Sequence, residues 1–209
     1  MKHITSPKNP LYRELVSLHT SAGVKKAGKT LVCGEKILGE WLNNPKAQLI
    51  NLVGTEQAPL DKLAKDPSSI IVLPKDLFHQ LDIFGTGYPL GIFQCWELPQ
   101  HNLTAPPEGL ELLTATGDPQ NLGSLIRTAT GLGVNKIVLL EEACNPFHCK
   151  TIRSSAGTVL QAPVYWGPSI NTITPDQTYS LDMNGENIFH FRWPQNIRLL
   201  VGEEGPGVP

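Results

Sequence analysis

The chain has 209 residues, 40% of them hydrophobic and 17% charged, with a formal net charge of −2. That apolar share suits one ordinary globular domain or two small ones and excludes an intrinsically disordered chain. No apolar run approaches the ~18 residues of a bilayer span, and residues 1–20 lack the continuous apolar core of a signal peptide, so the expectation is a cytoplasmic protein with no membrane partner.

The first half of the chain alternates helical and extended patterns. Residues 10–19 read as a helix with Leu11, Leu15 and Leu18 on one face, and 30–33 as a short strand. Residues 34–43 are helical, with Ile37, Leu38, Trp41 and Leu42 clustered on one side. A strand over 48–53, a short helix over 60–65 and an apolar strand over 69–73 follow. Pro74 is assigned the first helical position before Leu77, Phe78 and Leu81, and 90–96 return to strand. This alternation predicts a small α/β domain over residues 1–96. The Pro-rich polar stretch 97–108 reads as a linker.

The second domain, 109–209, opens with a strand over 110–116. A helix over 119–132 carries Leu122, Leu125, Ile126, Ala129 and Leu132 at helical spacing, and Gly133 stops it. Residues 136–140 form an apolar strand, 146–156 a helix or loop, and 159–166, 179–183 and 197–201 further strands. The pattern implies a largely parallel sheet with helices around it.

Charge is unevenly distributed. Residues 1–36 carry seven basic side chains against two acids, leaving 10 basic against 17 acidic in the rest. Lys25, Lys26 and Lys29 in this arm can track phosphates, or they form a solvated and poorly ordered segment. The four cysteines are too few and scattered for a disulfide scaffold. Cys144, His148 and Cys149 lack a second ligand pair, so no metal site is predicted.

Two segments carry chemistry. In Asp118-Pro119-Gln120-Asn121-Leu122-Gly123, Pro119 holds Asp118 extended so that it can cap the helix, Asn121 falls near the third helical position, and Gly123 permits close packing. Capping explains Asp118 and Pro119 without chemistry, but it does not explain Arg127, which lies about 140° round the helix from Leu122. The second segment, Val201-Gly202-Glu203-Glu204-Gly205-Pro206-Gly207, follows a strand. Its glycines let the backbone approach a flat ligand, and equally suit a surface turn. Between them, Lys150, Arg153 and Ser155 could hold phosphate or ribose, or could close a helix before Gly157. No dinucleotide or P-loop glycine pattern occurs.

Together these segments resemble the SpoU (TrmH-like) RNA 2′-O-ribose methyltransferases of the SPOUT class. The first, with Arg127-Thr128-Ala129 downstream, is similar to that family's first motif, and 202–207 is similar to its second. The resemblance spans about residues 108–209, and the first half is similar to the ribosomal-protein-like α/β domain that many members carry. It implies a trefoil-knotted α/β fold, S-adenosylmethionine as cofactor, a homodimer, and a structured RNA substrate, ribosomal RNA ahead of transfer RNA. It implies a catalytic set of Arg127, Asn121 and Glu204, and a cofactor site of Thr116, Val201, Gly202, Glu203, Gly205 and Gly207. The family's third motif lies beyond Pro209, so an incomplete knot and weak cofactor binding are expected of these 209 residues. A non-catalytic RNA-binding relative and an unrelated small-ligand α/β domain are the alternative readings.

Overall fold

A computed structural model describes residues 1–173, 178–181, 185–202 and 207. The first half contains, in chain order, β1 (Lys2–His3), α1 (Pro10–Ser17), α2 (Ser21–Ala27), β2 (Lys29–Val32), α3 (Glu35–Leu42), β3 (Leu49–Gly54), α4 (Leu60–Leu63), β4 (Ile70–Val72), α5 (Lys75–Leu81) and β5 (Leu90–Gln94). The strands form one sheet in the order β1-β4-β3-β5-β2. Its β1-β4-β3 side is parallel, and β5 runs antiparallel to both β3 and β2.

The second half contains β6 (Leu110–Thr114), α6 (Pro119–Gly131), β7 (Lys136–Leu139), α7 (Cys149–Ser154), β8 (Val164–Trp166), β9 (Thr178–Ser180) and β10 (Ile197–Val201). The order β8-β7-β6-β10-β9 is parallel throughout. From β6 the chain moves outward through β7 to β8, then returns to the other flank of β6. The strand order therefore reverses between β6 and β10, and such a reversal leaves a crevice at the carboxyl ends of the strands.

Most periodicity readings match these elements. Ile37, Leu38 and Trp41 of α3 are buried, as are Leu77, Phe78 and Leu81 of α5. Some readings need correction. Residues 21–27 form a helix that the sequence reading passed over, with the Thr20 hydroxyl capping it and Gly28 ending it at φ +64°. Pro74 is the residue before α5, not its first residue. The strand expected over 159–166 shrinks to β8, because Gly157 at φ +82° turns the chain into a 3-10 turn over Thr158–Leu160 and Pro163 has no N–H to offer a ladder. Leu132 does not belong to the apolar stripe of α6. It follows the last helical residue and is 80% exposed.

The segment 97–108 has no helix of its own but is laid down by hydrogen bonds. Pro99 accepts from the Trp166 amide at 2.9 Å, and the His101 amide donates back to the Trp166 carbonyl at 2.7 Å. At its far end the Arg198 guanidinium donates to the carbonyls of Leu103 and Ala105. Arg198 also meets Glu111 at 2.9 Å, where Lys136 at 3.0 Å and His101 at 3.2 Å complete the carboxylate's partners. Burial raises the Glu111 pKa, but hydrogen bonds from Arg198, Lys136 and His101 outweigh it and hold the carboxyl at about 2.

The two sheets share a core. Trp41 and Phe93 of the first half belong to one buried apolar cluster with Leu122, Ile137 and Phe147 of the second. Trp96 packs edge-on to Phe147 at 4.5 Å between ring centroids, and the Thr30 hydroxyl donates to the Phe147 carbonyl at 2.5 Å.

Candidate functional site

The carboxyl ends of β6 and β10 are adjacent, with Thr114 opposite Val201. This pairing brings together two segments more than 80 residues apart in the sequence. From β6 the chain passes through Thr116 and Asp118 into α6; from β10 it passes into Gly202. Asp118 caps α6 as its sequence implied, accepting from the Gln120 and Asn121 amides at 2.9 and 2.8 Å. Asn121 thus stands at the third helical position with its side chain exposed. Gly123 sits against α7, where an added Cβ would lie 1.9 Å from the Ser154 hydroxyl and 2.5 Å from the Thr151 carbonyl. Only a glycine lets α6 and α7 approach this closely.

Arg127 lies on the exposed face of α6 with Asn121, Ser124 and Thr128. Six residues of helix set it about 9 Å along the axis from Asn121. The exposed guanidinium and amide are both available to a ligand. Thr116 is 4% exposed, and its hydroxyl shares a 2.7 Å hydrogen bond with that of Thr114. The Thr116 side chain therefore braces the loop from within. Val201 and Gly202 are half-buried at the end of β10, and Gly207 is exposed at φ +77°. Glu203, Glu204 and Gly205 lie outside the described residues.

The residues assigned to RNA divide into two groups. Lys25 and Lys26 are exposed in the last turn of α2, and Lys150 is exposed at the start of α7. Lys29 is in β2 and pairs with Glu14 at 2.5 Å, so it is not part of a loose basic arm. Arg153 is exposed, with its guanidinium 5.7 Å from the Phe84 ring centroid and close over Gly34. Ser155 is a correction. It is fully buried, and its hydroxyl donates to the Ile152 carbonyl at 3.0 Å, so it holds the end of α7 and has no surface to offer. His148 caps α7 by accepting from the Lys150 amide at 3.1 Å. Burial lowers the His148 pKa, which favours the neutral ring that this cap requires.

A cleft of about 1010 Å³ opens between the halves. Its walls include Lys25 of α2, Trp96, the loop from Glu141 to Asn145, and Trp166 of β8. The loop is tied to the β6–α6 connection by the Cys144 amide, which donates to the Thr116 carbonyl at 2.9 Å. Sequence reasoning missed Trp96 and Trp166, since they lie 70 residues apart and neither belongs to a motif. Among the described residues no helix is long and apolar enough to cross a membrane.

Residues 112–209 match the model of the SpoU rRNA Methylase family. Ribosomal RNA small subunit methyltransferase G 2 of Syntrophobacter fumaroxidans is 33% identical over 211 aligned positions, covering 100% of this chain and 42% of that protein. The 23S rRNA (guanosine(2553)-2′-O)-methyltransferase RlmP of Bacillus subtilis is 29% identical over 100% of this chain and 85% of its own length. The chain thus spans less than half of the first relative and most of the second. An AdoMet-bound rRNA methyltransferase from Sinorhizobium meliloti has the same fold, with a TM-score of 0.76 at 22% identity over 100% of this chain and 83% of that one. So does the SpoU methyltransferase AviRb from Streptomyces viridochromogenes, in complex with AdoMet, with a TM-score of 0.74 at 21% identity over 97% of this chain and 84% of that one.

Proposed function

We propose that the chain is a member of the SpoU rRNA methylase family, whose model its residues 112–209 match, and that it transfers a methyl group from S-adenosylmethionine to a ribose 2′-hydroxyl of a structured RNA, ribosomal RNA ahead of transfer RNA. The observation that carries this reading is the pairing of Val201 with Thr114, which sets Gly202 beside the loop leading to Asp118 and Asn121. That crevice suits the cofactor on its own terms. It lies where the strand order reverses, and Val201 and Gly202 offer a half-buried apolar side chain and a bare backbone to a flat heterocycle. Thr116, Glu203, Gly205 and Gly207 complete the proposed cofactor set, Thr116 by holding the loop rather than by contact.

Bound there, S-adenosylmethionine supplies an electrophilic methyl group. The chain's own task is to present the ribose hydroxyl and to manage its proton. Asn121, exposed at the start of α6, would orient the ribose, and Glu204 is assigned to the same task by the family resemblance alone. Arg127 stabilises negative charge as it develops on the 2′-oxygen. A guanidinium remains protonated at neutral pH, so Arg127 needs an acceptor such as an RNA phosphate to carry the proton away. Orientation of the hydroxyl and this charge stabilisation account for the acceleration.

A homodimer belongs to the same reading, with the bare Leu132 just past the end of α6 as an apolar contact for the second copy. The first half, residues 1–96, serves as the RNA-binding domain, with Lys25 and Lys26 facing phosphates, and Lys150 and Arg153 of α7 in the second half join them. The second half is read as the trefoil-knotted domain, and a cytoplasmic location belongs to the same reading.

The test is methyl transfer from radiolabelled S-adenosylmethionine to ribosomal RNA, followed by nuclease digestion and mass spectrometry of the nucleosides. A 2′-O-methylnucleoside is expected. Arg127→Ala should lower the rate by about 10²–10⁴-fold while RNA affinity is kept. Methylation of a base in place of the ribose, or full turnover by the variant, would refute the reading.

A further inference from the structure

The cleft between the two halves has no part in the chemistry described above, yet it has the features of a binding site. At about 1010 Å³ it stands at the upper end of the ~300–1,000 Å³ found for small-ligand pockets. Two tryptophans, Trp96 and Trp166, line it, and both are half-buried. A tryptophan that only filled a core would be covered, as Trp41 is at 0% exposure. Charge is distributed across the walls. Exposed Lys25 belongs to the first half and exposed Glu141 to the second, with Glu97 close to Trp96. Carboxylates inside a cleft repel a phosphate backbone but accept hydrogen bonds from the edges of bases. An aromatic floor, carboxylate acceptors and one lysine at the rim match a base that enters edge-first with its phosphate left outside.

Position supplies the second argument. The loop from Glu141 to Asn145 forms one wall, and its Cys144 amide is hydrogen-bonded to Thr116, two residues before Asp118. One wall of the cleft is therefore anchored to the loop that leads into the proposed ribose site. Unpaired bases in RNA are commonly held by stacking on aromatic side chains, whereas a duplex hides their faces.

We infer that this cleft holds an unpaired nucleobase of the substrate RNA, close in sequence to the methylated nucleotide, stacked on Trp96 and Trp166 with its phosphate at Lys25. The inference rests on the RNA-methylation reading for its ligand, and it adds a specificity: the enzyme selects RNA that is single-stranded beside the target.

The probes are a twelve-nucleotide oligoadenylate and the duplex it forms with oligouridylate. Fluorescence anisotropy gives affinity, and quenching of tryptophan emission reports stacking. The single strand should bind about 10-fold more tightly than the duplex and should quench emission. Trp166→Leu should remove most of that preference. Lys25→Glu, a surface change on α2, should weaken single-strand binding several-fold, and more strongly at low salt. Ultraviolet cross-linking with peptide mapping keeps the question decidable if Trp166→Leu does not fold. Adducts on the Trp96 or Trp166 peptides support the cleft, and adducts confined to other peptides overturn it. Equal affinity for strand and duplex, or wild-type binding by both variants, also overturns it. Calorimetry with S-adenosylhomocysteine separates the two readings. If the full-length protein gives no heat while single-strand binding still depends on Trp166, the methyl-transfer reading falls and the cleft stands. Heat with no dependence on Trp166 removes the cleft alone.

Discussion

The two ends of the second sheet handle charge in opposite ways. At the amino end of β6 and β10, Glu111 and Arg198 are almost wholly buried, and every charge is met: Arg198, Lys136 and His101 surround the carboxylate, while carbonyls of Leu103 and Ala105 take the rest of the guanidinium. At the carboxyl end Asn121 stands exposed at the start of α6, and Arg127 is exposed about 9 Å further along that helix. A buried charge is tolerated only when saturated with partners, and a saturated group has nothing left for a ligand. The difference sorts structural charges from those free to act, and it agrees with the proposal that the chemistry lies toward the carboxyl end.

This comparison can be broken at either end. The largest effect on stability is expected from Glu111→Ala, which strands the buried Arg198 and should cost about 3–5 kcal/mol in urea unfolding. A loss under 1 kcal/mol would mean that the network is not saturated in solution. Arg127→Ala should lie within about 0.5 kcal/mol of wild type in the same measurement, the reverse of its expected effect on turnover. Gly123→Ala should cost about 1–3 kcal/mol, since the new methyl group meets the Ser154 hydroxyl and the Thr151 carbonyl. An unchanged midpoint would show that α6 and α7 can separate without penalty. Asp118→Ala removes the cap of α6 and should cost about 1 kcal/mol; rescue by Asp118→Asn would assign the loss to the cap.

The locked end also makes a prediction about pH. Glu111 titrates near 2 in the folded protein against an ordinary 4.5. A carboxyl depressed by folding adds stability that is complete above its unfolded pKa and is lost as pH falls through the folded one. The stability difference between wild type and Glu111→Gln should therefore be constant near neutrality and shrink between about pH 5 and pH 2. A difference that grew toward low pH would contradict the assignment.

Legibility in the sequence followed the range of the interactions. The α6 cap was readable because Asp118, Pro119 and Asn121 act within one turn, and the apolar faces of α3 and α5 were readable because burial repeats with the helix. Glu111 and Arg198 gave no signal: each is one charge inside an apolar strand, and they meet only because β6 and β10 pair across 87 residues. Trp96 and Trp166 gave no signal as a pair, since they line one cleft only through the packing of the two halves. Ser155 misled because a hydroxyl in a Ser-Ser-Ala-Gly run looks the same whether it faces solvent or closes a helix. The pairing of the Asp118 and Gly202 segments was anticipated only through family resemblance, since periodicity does not reveal strand order. Glu204, central to that expectation, lies outside the described residues.

The shared core across the halves has a mechanical consequence. Trp41, Trp96 and Phe147 form an unbroken run of ring contacts from one half to the other, reinforced by the Thr30 hydrogen bond. Opening that joint would expose aromatic surface to water, so the halves are poorly suited to swing like jaws. The cleft is a gauge of set width, and any adjustment on binding falls to the guest. An RNA that bends easily beside the target would then be favoured over a stiff one of identical sequence at the contact points, and discrimination would be written in the flexibility of the substrate.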